Sequence, residues 1–512
     1  MDIDPLSQAV NELFGLSYLF PYQRLVIANI LEAARSAGIK LHWQSVYSHT
    51  DDDFLSDSES DRESMGKQIV ILPTGAGKSL CFQLPAMLMD KATLVIYPIL
   101  GLMADQERRL SERGFAPVVL RGSQTREERE EIFIKLKSGR SKFIIANPEI
   151  LLTQGIFSRL KEMDIAHIVI DEAHCVSEWG ESFRPSYLEI NKIIMEAGSP
   201  LVTAFTATAG YSVLEKIEKY IFGDCGAARI VGNPDRKNIY YSSCGCLVKN
   251  LAVRDLLLVM EKPAIVFCSS RPGTEKLSFY LRNEAVKPGI KPGSGLNFND
   301  IRFYHAGLSR EEKKECEDWF LHNPNGVLTA TCAYGLGIDK SDIRTVIHRD
   351  CPPSVEAYLQ ESGRAGRDGK SSKAVLLWGP EDDIGLAMAK SEEEKFRLKN
   401  LLSYARDHLK CRREVLLDLL DYEGERDSPG ADCCDVCEKK FSPSYREQKS
   451  LVDFVKKNRG CYTIPEAVKI LSCAENLDWT EDDAEEAISL LIKNGKLKTS
   501  SNPLWKRKIF CV

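Results

Sequence analysis

The sequence lacks the apolar run of about eighteen residues that a membrane-spanning helix requires. It also lacks a secretory signal, because MDIDPLSQAV is acidic and polar where a signal is basic and then apolar. We therefore expect neither secretion nor a membrane partner. The predicted location is the cytoplasm or nucleoid of a bacterium, or the nucleus of a eukaryote.

Disulfides are not expected either, since sixteen cysteines without a signal sequence indicate a reducing compartment. In such a compartment scattered thiols are usually small buried apolar residues, whereas clustered thiols favour a metal. The cysteines interpreted as buried apolar residues are Cys81, Cys175, Cys268, Cys316 and Cys332.

The chain has no excess of basic residues, and a formal net charge of −6, taken as an average, argues against a nucleic-acid partner. This argument fails when the charge is located along the chain. Residues 51–63, DDDFLSDSESDRE, hold seven acidic residues and one base, so this stretch alone accounts for the net charge. We interpret roughly residues 45–66 as a disordered surface insertion. Composition favours a solvated loop over an acidic strand mimic or a phosphorylation site.

Short β-rich runs alternate with helix-length amphipathic stretches from about residue 67 to 380, which is typical of α/β proteins with parallel sheets. The strand series pauses between LVTAFTAT and PAIVFCSS, which predicts a boundary between two lobes near residue 232. A helical, charged stretch follows, then a cysteine cluster, then three predicted helices and a hairpin. The predicted parts are 1–232, 233–392, 393–443 and 444–512.

The stretch QIVILPTGAGKSLCF predicts a buried strand, a Gly-rich turn and the start of a helix, where backbone N–H groups can bind phosphate oxygens. Lys78 would reach the β- and γ-phosphates of a nucleotide, and the Ser79 hydroxyl would bind Mg²⁺. The strict P-loop pattern is not met, because Leu72 stands at its first glycine. The predicted nucleotide-binding residues of this turn are Thr74, Gly75, Ala76, Gly77, Lys78 and Ser79.

A second apolar strand, in IVIDEAH, ends in two adjacent carboxylates. Asp171 is placed to hold Mg²⁺ and Glu172 to take a proton from the attacking water, so the two motifs together predict ATP hydrolysis. In the other predicted lobe, YLQESGRAGRDG carries Arg364 and Arg367. An arginine that senses the γ-phosphate across a cleft must come from that lobe.

The stretches LPTGAGKS, DEAH, TATA and QESGRAGRDG, in this order, resemble a superfamily 2 helicase. The segment DEAHCVSEWGESFRPSY narrows the resemblance to the RecQ family of DNA helicases, and YPILGLMADQ, YHAGLS and ATCAYGLGIDKSDIRTVIH agree with it. The resemblance covers roughly residues 10–440. It implies two RecA-like lobes and ATP-driven 3′→5′ unwinding of DNA with Mg²⁺. It also explains Leu72, because superfamily 2 motors commonly lack that glycine.

The resemblance also implies roles for single residues. Gln23 would read the adenine, although Phe20 stands where the family usually has an arginine. His174 and Gln360 would link the DEAH turn to the second lobe. Thr206 and Thr208 would couple the site to DNA.

Two segments are predicted to contact DNA. The first, WGESFRPSY, offers aromatic faces that stack on bases for about 1–3 kcal/mol each, and an arginine that can meet phosphate. The second is the last part of the chain, which resembles a winged helix and has six basic and no acidic residues from 493 to 508. Core packing is an equal alternative for Tyr187, and a solvated charged tail is the alternative for the last segment. The predicted DNA contacts are Trp179, Phe183, Arg184, Lys498, Trp505 and Arg507.

In the RecQ family a zinc module follows the second lobe, with one cysteine at a helix start and three in a later loop. Here KCRREVLLDLL and GADCCDVCEKKF provide the cysteines, but Ala431 stands where the third loop cysteine is expected. Cys433 is the nearby substitute, with His408 as its alternative. The resemblance thus implies a Cys₄ zinc site of Cys411, Cys433, Cys434 and Cys437.

These observations predict two RecA-like lobes, a helical zinc-binding module and a winged-helix-like domain. The leading interpretation is an ATP-dependent 3′→5′ DNA helicase in repair or recombination, with ATP, Mg²⁺ and Zn²⁺ as cofactors. Its expected partners are single-stranded and junction DNA, with single-strand-binding or recombination proteins as candidates. The alternatives are an ATP-switched DNA-binding or strand-annealing protein without processive unwinding, and an RNA-directed ATPase, which the aromatic loop disfavours.

Overall fold

The computed structural model divides into two compact units, Met1–Pro234 and Asp235–Val512. The predicted insertion 45–66 lies outside the described residues except for Gly66, and Thr74, Gly75, Phe183 and Thr208 also lie outside them. The described residues are 5–42, 66–73, 76–179, 184–199, 201–207, 210–223, 226–286, 296–335, 340–424, 426, 430, 433–441, 445, 447–474, 479–502 and 505–512.

The first unit is built on a parallel sheet of seven strands. These are β1 (Lys67–Ile71), β2 (Ala92–Ile96), β3 (Val118–Val119), β4 (Phe143–Ala146), β5 (Ile165–Ile170), β6 (Leu201–Thr206) and β7 (Ala228–Val231). The strand order is β3-β4-β2-β5-β6-β1-β7, and every pairing is parallel. Because β6 lies between β5 and β1, the turns that follow these three strands share one edge of the sheet.

Helices surround this sheet, so its inner strands are buried along their whole length. This burial is why the strands read as continuous apolar runs in the sequence. The α-helices of the unit are α1 (Pro5–Phe14), α2 (Pro21–Ser36), α3 (Lys78–Leu88), α4 (Leu100–Glu112), α5 (Arg126–Lys137), α6 (Pro148–Leu151), α7 (Gln154–Phe157), α8 (Cys175–Trp179), α9 (Ile190–Ala197) and α10 (Tyr211–Ile217).

The second unit contains a parallel sheet of six strands. They are β8 (Ile239–Gly245), β9 (Ala264–Phe267), β10 (Ile301–Tyr304), β11 (Val327–Ala330), β12 (Thr345–His348) and β13 (Ser372–Trp378), in the order β10-β11-β9-β12-β13-β8. The α-helices that belong to this part are α11 (Lys249–Val259), α12 (Arg271–Ala285), α13 (Arg310–His322), α14 (Val355–Ser362) and α15 (Pro380–Ala387).

Two details correct the sequence interpretation. The interval predicted to lack strands contains β7 and β8, which are edge strands of the two sheets. Only one residue of β7 is buried and buried residues alternate along β8, so neither strand shows the continuous apolar run of an inner strand. Cys332 is exposed, whereas the other four cysteines interpreted as apolar core residues are buried.

The rest of the second unit is helical and ends in a hairpin. Its helices are α16 (Glu392–Arg406), α17 (Arg412–Leu419), α18 (Gln448–Lys457), α19 (Ile464–Ser472) and α20 (Glu481–Lys493), and β14 (Leu497–Thr499) pairs antiparallel with β15 (Ile509–Cys511). Leu247 and Leu251, beside the second sheet, share a core with Leu451 and Leu491 of this last segment. The predicted class, two parallel sheets followed by a helical part, is confirmed. Among the described helices, none is long and apolar enough to cross a membrane.

Candidate active site and metal centre

The predicted phosphate-binding turn follows β1 and leads into α3. Gly77 has a φ of 75°, and α3 begins at Lys78. Leu72 is fully buried, its N–H donates to the Thr206 carbonyl (3.0 Å), and a Cβ on Gly232 would lie 2.7 Å from its side chain. Leu72 therefore extends the sheet pairing and fills the core, which explains why a glycine is not needed there.

Gln23 is attached to the same turn. Its Nε2 donates to the Ala76 carbonyl (2.9 Å), its Oε1 accepts from the Phe20 N–H (3.0 Å), and a Cβ on Gly77 would lie 2.5 Å from Nε2. Phe20 is half exposed and stacks on Tyr22 with ring centroids 5.5 Å apart. The structure thus places Gln23 and a flat aromatic surface beside the turn, and adenine reading by Gln23 stays a prediction.

The carboxylates predicted for catalysis lie at the end of β5, next to the turn. Glu172 Oε1 is 3.8 Å from Lys78 Nζ, and Glu172 Oε2 is 3.4 Å from His174 Nδ1. His174 Nδ1 is also 3.1 Å from Thr206 Oγ1. The carboxyl ends of β1, β5 and β6 therefore bring these four side chains together.

Asp171 is buried beside this group and accepts a hydrogen bond from the Glu172 N–H (3.0 Å). Burial, and after it the negative charge of Glu172, raise the pKa of Asp171 to about 6 against the opposing positive charge of Lys78. Paired carboxylates and a hydroxyl such as that of Ser79 are oxygen ligands of the kind that Mg²⁺ prefers. Asp171, Glu172 and Ser79 therefore offer suitable ligands for the predicted Mg²⁺.

The segment after the DEAH turn is partly described. Trp179 is the last residue of α8, and Tyr187 is fully buried, so the core-packing alternative is the correct one for Tyr187. Arg184 donates to the Pro98 carbonyl, and its Nε lies 3.8 Å from Glu149 Oε1. These intramolecular contacts tie Arg184 to its own unit, and its DNA contact stays a prediction.

In the second unit, α14 carries Gln360 and leads into the turn with both predicted arginines. Arg364 is only 4% exposed, whereas Arg367 is half-buried. Only Arg367 therefore has a substantial part of its side chain at the surface of the unit. Its role toward a phosphate stays a prediction.

The four predicted zinc ligands form one cluster. The Sγ atoms of Cys411, Cys433, Cys434 and Cys437 all lie within 4.8 Å of one another, with Cys411–Cys433 and Cys433–Cys437 distances of 3.4 Å. A tetrahedron of thiolates at a Zn–S distance of about 2.3 Å has edges of roughly 3.8 Å, so the spacing fits zinc. His408 is not in the cluster found among the described residues, so the structure favours Cys433 over its alternative.

The chemistry of the thiols agrees with the spacing. A hydrogen bond from Cys411 and the N–H groups of Cys437 and Arg412 lower the pKa of Cys434 to about 5, and the hydrogen bond to Cys434 together with burial raises the pKa of Cys411. Zinc binds thiolates, so the lowered pKa of Cys434 favours metal binding. These four residues could hold one zinc ion.

The basic residues of the final hairpin differ in their contacts. Lys498, Trp505 and Arg507 are exposed, and Trp505 packs edge-on against Phe510. Lys508 instead pairs with Glu466 (3.0 Å) and donates to the Cys461 carbonyl (2.8 Å). We therefore do not count Lys508 with the residues available to phosphate.

Comparison with known proteins gives two matching family models and many relatives. The DEAD/DEAH box helicase model matches residues 21–217, and the model of the helicase conserved C-terminal domain matches residues 248–369. The ATP-dependent DNA helicase RecQ of Haemophilus influenzae is 34% identical over 378 residues, which cover 72% of this chain and 58% of that protein. The RecQ helicase of Bacillus subtilis is 33% identical over 373 residues, covering 72% and 61%.

This chain thus spans about three fifths of the length of these curated relatives. A crystal structure of the DUF1998 helicase MrfA bound to DNA superposes with a TM-score of 0.56 at 17% identity, covering 99% of this chain and 62% of that one. At this identity the likeness concerns the fold alone. From the sequence relatives and the two matching models, the chain belongs to the RecQ family of superfamily 2 helicases.

Proposed function

We propose that the chain is an ATP-dependent DNA helicase that moves 3′→5′ along a single strand and separates duplexes in repair or recombination. The observation that carries the proposal is the convergence of Lys78, Glu172, His174 and Thr206 at one edge of the first sheet. This arrangement supports hydrolysis of a nucleotide and links the hydrolytic carboxylate to the segment after β6. The relatives are named as DNA helicases, which supports DNA as the substrate.

In this mechanism Lys78 and the backbone of the turn bind the β- and γ-phosphates. Ser79 and Asp171 would hold Mg²⁺, which neutralises charge on the phosphates when it is bound. Glu172 orients the attacking water and takes its proton. Arg367 is our candidate for the arginine that stabilises charge on the γ-phosphate, because Arg364 is buried.

The DNA would be held by two surfaces. Trp179 and Phe183 would stack on bases of the single strand, close in sequence to the hydrolytic carboxylate. The exposed hairpin residues Lys498, Trp505 and Arg507 would contact the duplex. A zinc ion bound by the cysteine cluster would have a structural role and stabilise the helical module. Single-strand-binding or recombination proteins are proposed as protein partners. The proposed location is where the DNA lies, the nucleoid of a bacterium or the nucleus of a eukaryote.

A strand-displacement assay tests the proposal. We expect ATP-dependent separation of a 3′-tailed DNA duplex and none of a 5′-tailed one. Displacement of RNA duplexes only would favour the RNA-directed alternative. ATP-dependent binding or annealing without displacement would favour the DNA-binding alternative.

Neutralising the hairpin is expected to weaken duplex binding in a salt-dependent manner. Lys498→Gln together with Arg507→Gln removes two exposed positive charges while keeping a polar, uncharged side chain at each position. Each phosphate contact contributes about −0.9 to the slope of log K against log[salt], so the slope should become less negative by about 1.8. Fluorescence anisotropy with duplex DNA at several salt concentrations measures it. Lys192→Gln, an exposed lysine of the first unit paired with Glu189, is the matched control, and an unchanged slope in the double variant would contradict the prediction.

A further inference from the structure

The turn that carries Arg367, residues 363–369, is called the arginine turn here. Besides the pair that Asp368 forms with Arg344 (2.7 Å), it is bound by the Arg236 side chain from a distant part of the sequence. Arg236 Nη1 donates to the Gly363 carbonyl (3.1 Å). Its Nη2 donates to the carbonyls of Ala365 (3.2 Å) and Gly366 (2.9 Å). A single guanidinium therefore binds three carbonyls, all within four residues of Arg367.

Asn238 adds to this attachment. Its Nδ2 donates to the Gly366 carbonyl (2.8 Å) and to the Lys370 carbonyl (2.9 Å), and its Oδ1 accepts from Arg236 Nε (3.4 Å). Gly366 has a φ of 56°, and a Cβ at that position would collide with Asn238 Nδ2. The shape of the turn and the position of Asn238 thus depend on each other.

Sheet register explains why these residues meet. Strand β8 pairs with β13 so that Ile239 lies opposite Ser372. The residues just before β8 therefore lie beside the residues just before β13, which include the arginine turn. The Asn238 carbonyl accepts from the Ser372 N–H (2.9 Å), and the Arg236 carbonyl accepts from the Ile239 N–H (2.9 Å). Arg236 and Asn238 are fixed through their backbones as well as their side chains.

A further contact anchors this segment. Asp235, the first residue of the second unit, forms a bidentate pair with Arg413 on α17, with both N–O distances 2.8 Å. Arg413 lies two residues after the cluster residue Cys411. Bidentate pairs of this kind fix orientation as well as distance.

The surroundings of Arg236 disfavour its positive charge. Burial lowers the pKa of Arg236, Tyr241 opposes this shift, and the positive charge of Arg367 lowers the pKa as well. The Arg236 guanidinium is occupied by the carbonyls of the turn, and Arg367 itself is half-buried.

We propose that Arg236 and Asn238 are positioning residues that hold the arginine turn so that Arg367 can meet the γ-phosphate. The inference rests on the proposed function, because it needs Arg367 to act in ATP hydrolysis. A displacement of about 1 Å in a catalytic group can cost about 100-fold in rate, so a loose turn would affect turnover strongly. Nucleotide binding would change little, since the phosphate-binding turn belongs to the first unit.

The test is the steady-state kinetics of DNA-stimulated ATP hydrolysis in the full chain. Arg236→Ala is expected to lower kcat roughly 10- to 100-fold with little change in the KM for ATP. Arg236→Lys should recover part of the loss, because an ammonium can bind some of the three carbonyls. Arg282→Ala is the matched control, since Arg282 also donates to a backbone carbonyl, that of Ile301 (2.9 and 2.6 Å), away from the arginine turn.

A double-mutant cycle separates positioning from general stability. In an Arg367→Ala background, Arg236→Ala should cause no further loss of kcat, because its only route to catalysis is removed. An equal loss in both backgrounds, or no loss in either, would overturn the inference. If Arg236→Ala does not fold, the same cycle is measured with Asn238→Ala, which removes three side-chain hydrogen bonds, to Gly366, Lys370 and Arg236.

The controls also distinguish this inference from the proposed function. A wild-type chain without ATP hydrolysis, or an Arg367→Ala variant with full activity, would overturn the premise and the inference with it. A fully active Arg236→Ala variant beside an inactive Arg367→Ala variant would overturn the positioning role and leave the helicase proposal intact.

Discussion

Replacing Glu172 by glutamine is expected to lower the rate of ATP hydrolysis roughly 10²- to 10⁴-fold, the range of a lost general base. The amide keeps the shape of the side chain but cannot accept a proton from water at neutral pH. Glu172 lies 3.8 Å from Lys78 Nζ and 3.4 Å from His174 Nδ1, and the proposed function assigns to it the proton of the attacking water. Phosphate release with and without single-stranded DNA measures the effect.

Binding should survive this change. The positive charge of Lys78 stays in place, and losing the neighbouring negative charge removes a competitor for phosphate, so affinity for a fluorescent ATP analogue should be kept or raised. Affinity for single-stranded DNA should also be kept. Glu218→Gln is the matched control, because Glu218 pairs with Arg229 (2.7 Å) elsewhere in the first unit. Near-normal turnover in Glu172→Gln would show that another group takes the proton.

Much of this site could be anticipated from the sequence because its residues sit at the ends of buried parallel strands. Such strands are apolar along their length, so QIVIL, IAHIVI and LVTAFT are recognisable, and the polar residues after them fall at one edge. The apolar pattern of a strand does not show which other strands pair with it in the sheet. The contact between His174 and Thr206 follows from the pairing of β5 with β6, and the sequence did not predict it. The family resemblance linked His174 to the second lobe and Thr206 to DNA instead.

Other features left no sequence signal. The edge strands β7 and β8 are buried on one side at most, so their apolar pattern is short or alternating. Arg236 contacts residues of the arginine turn that lie 127 to 130 positions further along the chain, and the register of β8 with β13 brings them together. Basic residues of the final hairpin looked alike in the sequence, but Lys508 is paired with Glu466. Edge strands, long-range hydrogen bonds and ion pairs depend on tertiary contacts that periodicity does not encode.

The cysteine cluster leads to the second large effect, which is expected for Cys434→Ser. The wild-type chain should contain about one zinc ion per chain, since a structural zinc site takes four protein ligands. The variant should contain well under one. Cys434 is fully buried, accepts N–H groups of Arg412 (3.5 Å) and Cys437 (3.4 Å), and has a pKa lowered to about 5, so it is the thiol best prepared to bind metal. A serine hydroxyl does not ionise at neutral pH and is a weak zinc ligand.

Loss of the metal should also destabilise the second unit. Asp435, next to Cys434, accepts from the Ser243 N–H of β8 (2.9 Å) and forms a buried pair with Arg412 (2.8 Å). The cluster therefore connects α17 to the edge of the second sheet, and leaving such a buried pair unsupported is costly. Each kcal/mol lost lowers the melting temperature by about 2–4 °C in a domain of this size, so we expect a fall of several degrees.

Metal analysis and thermal unfolding of the full chain measure both effects. Cys473→Ser is the matched control, because Cys473 is exposed and lies outside the cluster. A chelator should lower the melting temperature of the wild type, and added zinc should restore it, whereas the Cys434→Ser variant should respond to neither. Well under one zinc ion per wild-type chain would contradict the prediction that the cluster binds zinc. A full zinc content in Cys434→Ser would contradict the assignment of Cys434 as a ligand. Loss of zinc should also lower kcat for ATP hydrolysis. The bidentate contact between Asp235 and Arg413 connects the region of the cysteine cluster to the segment that holds the arginine turn.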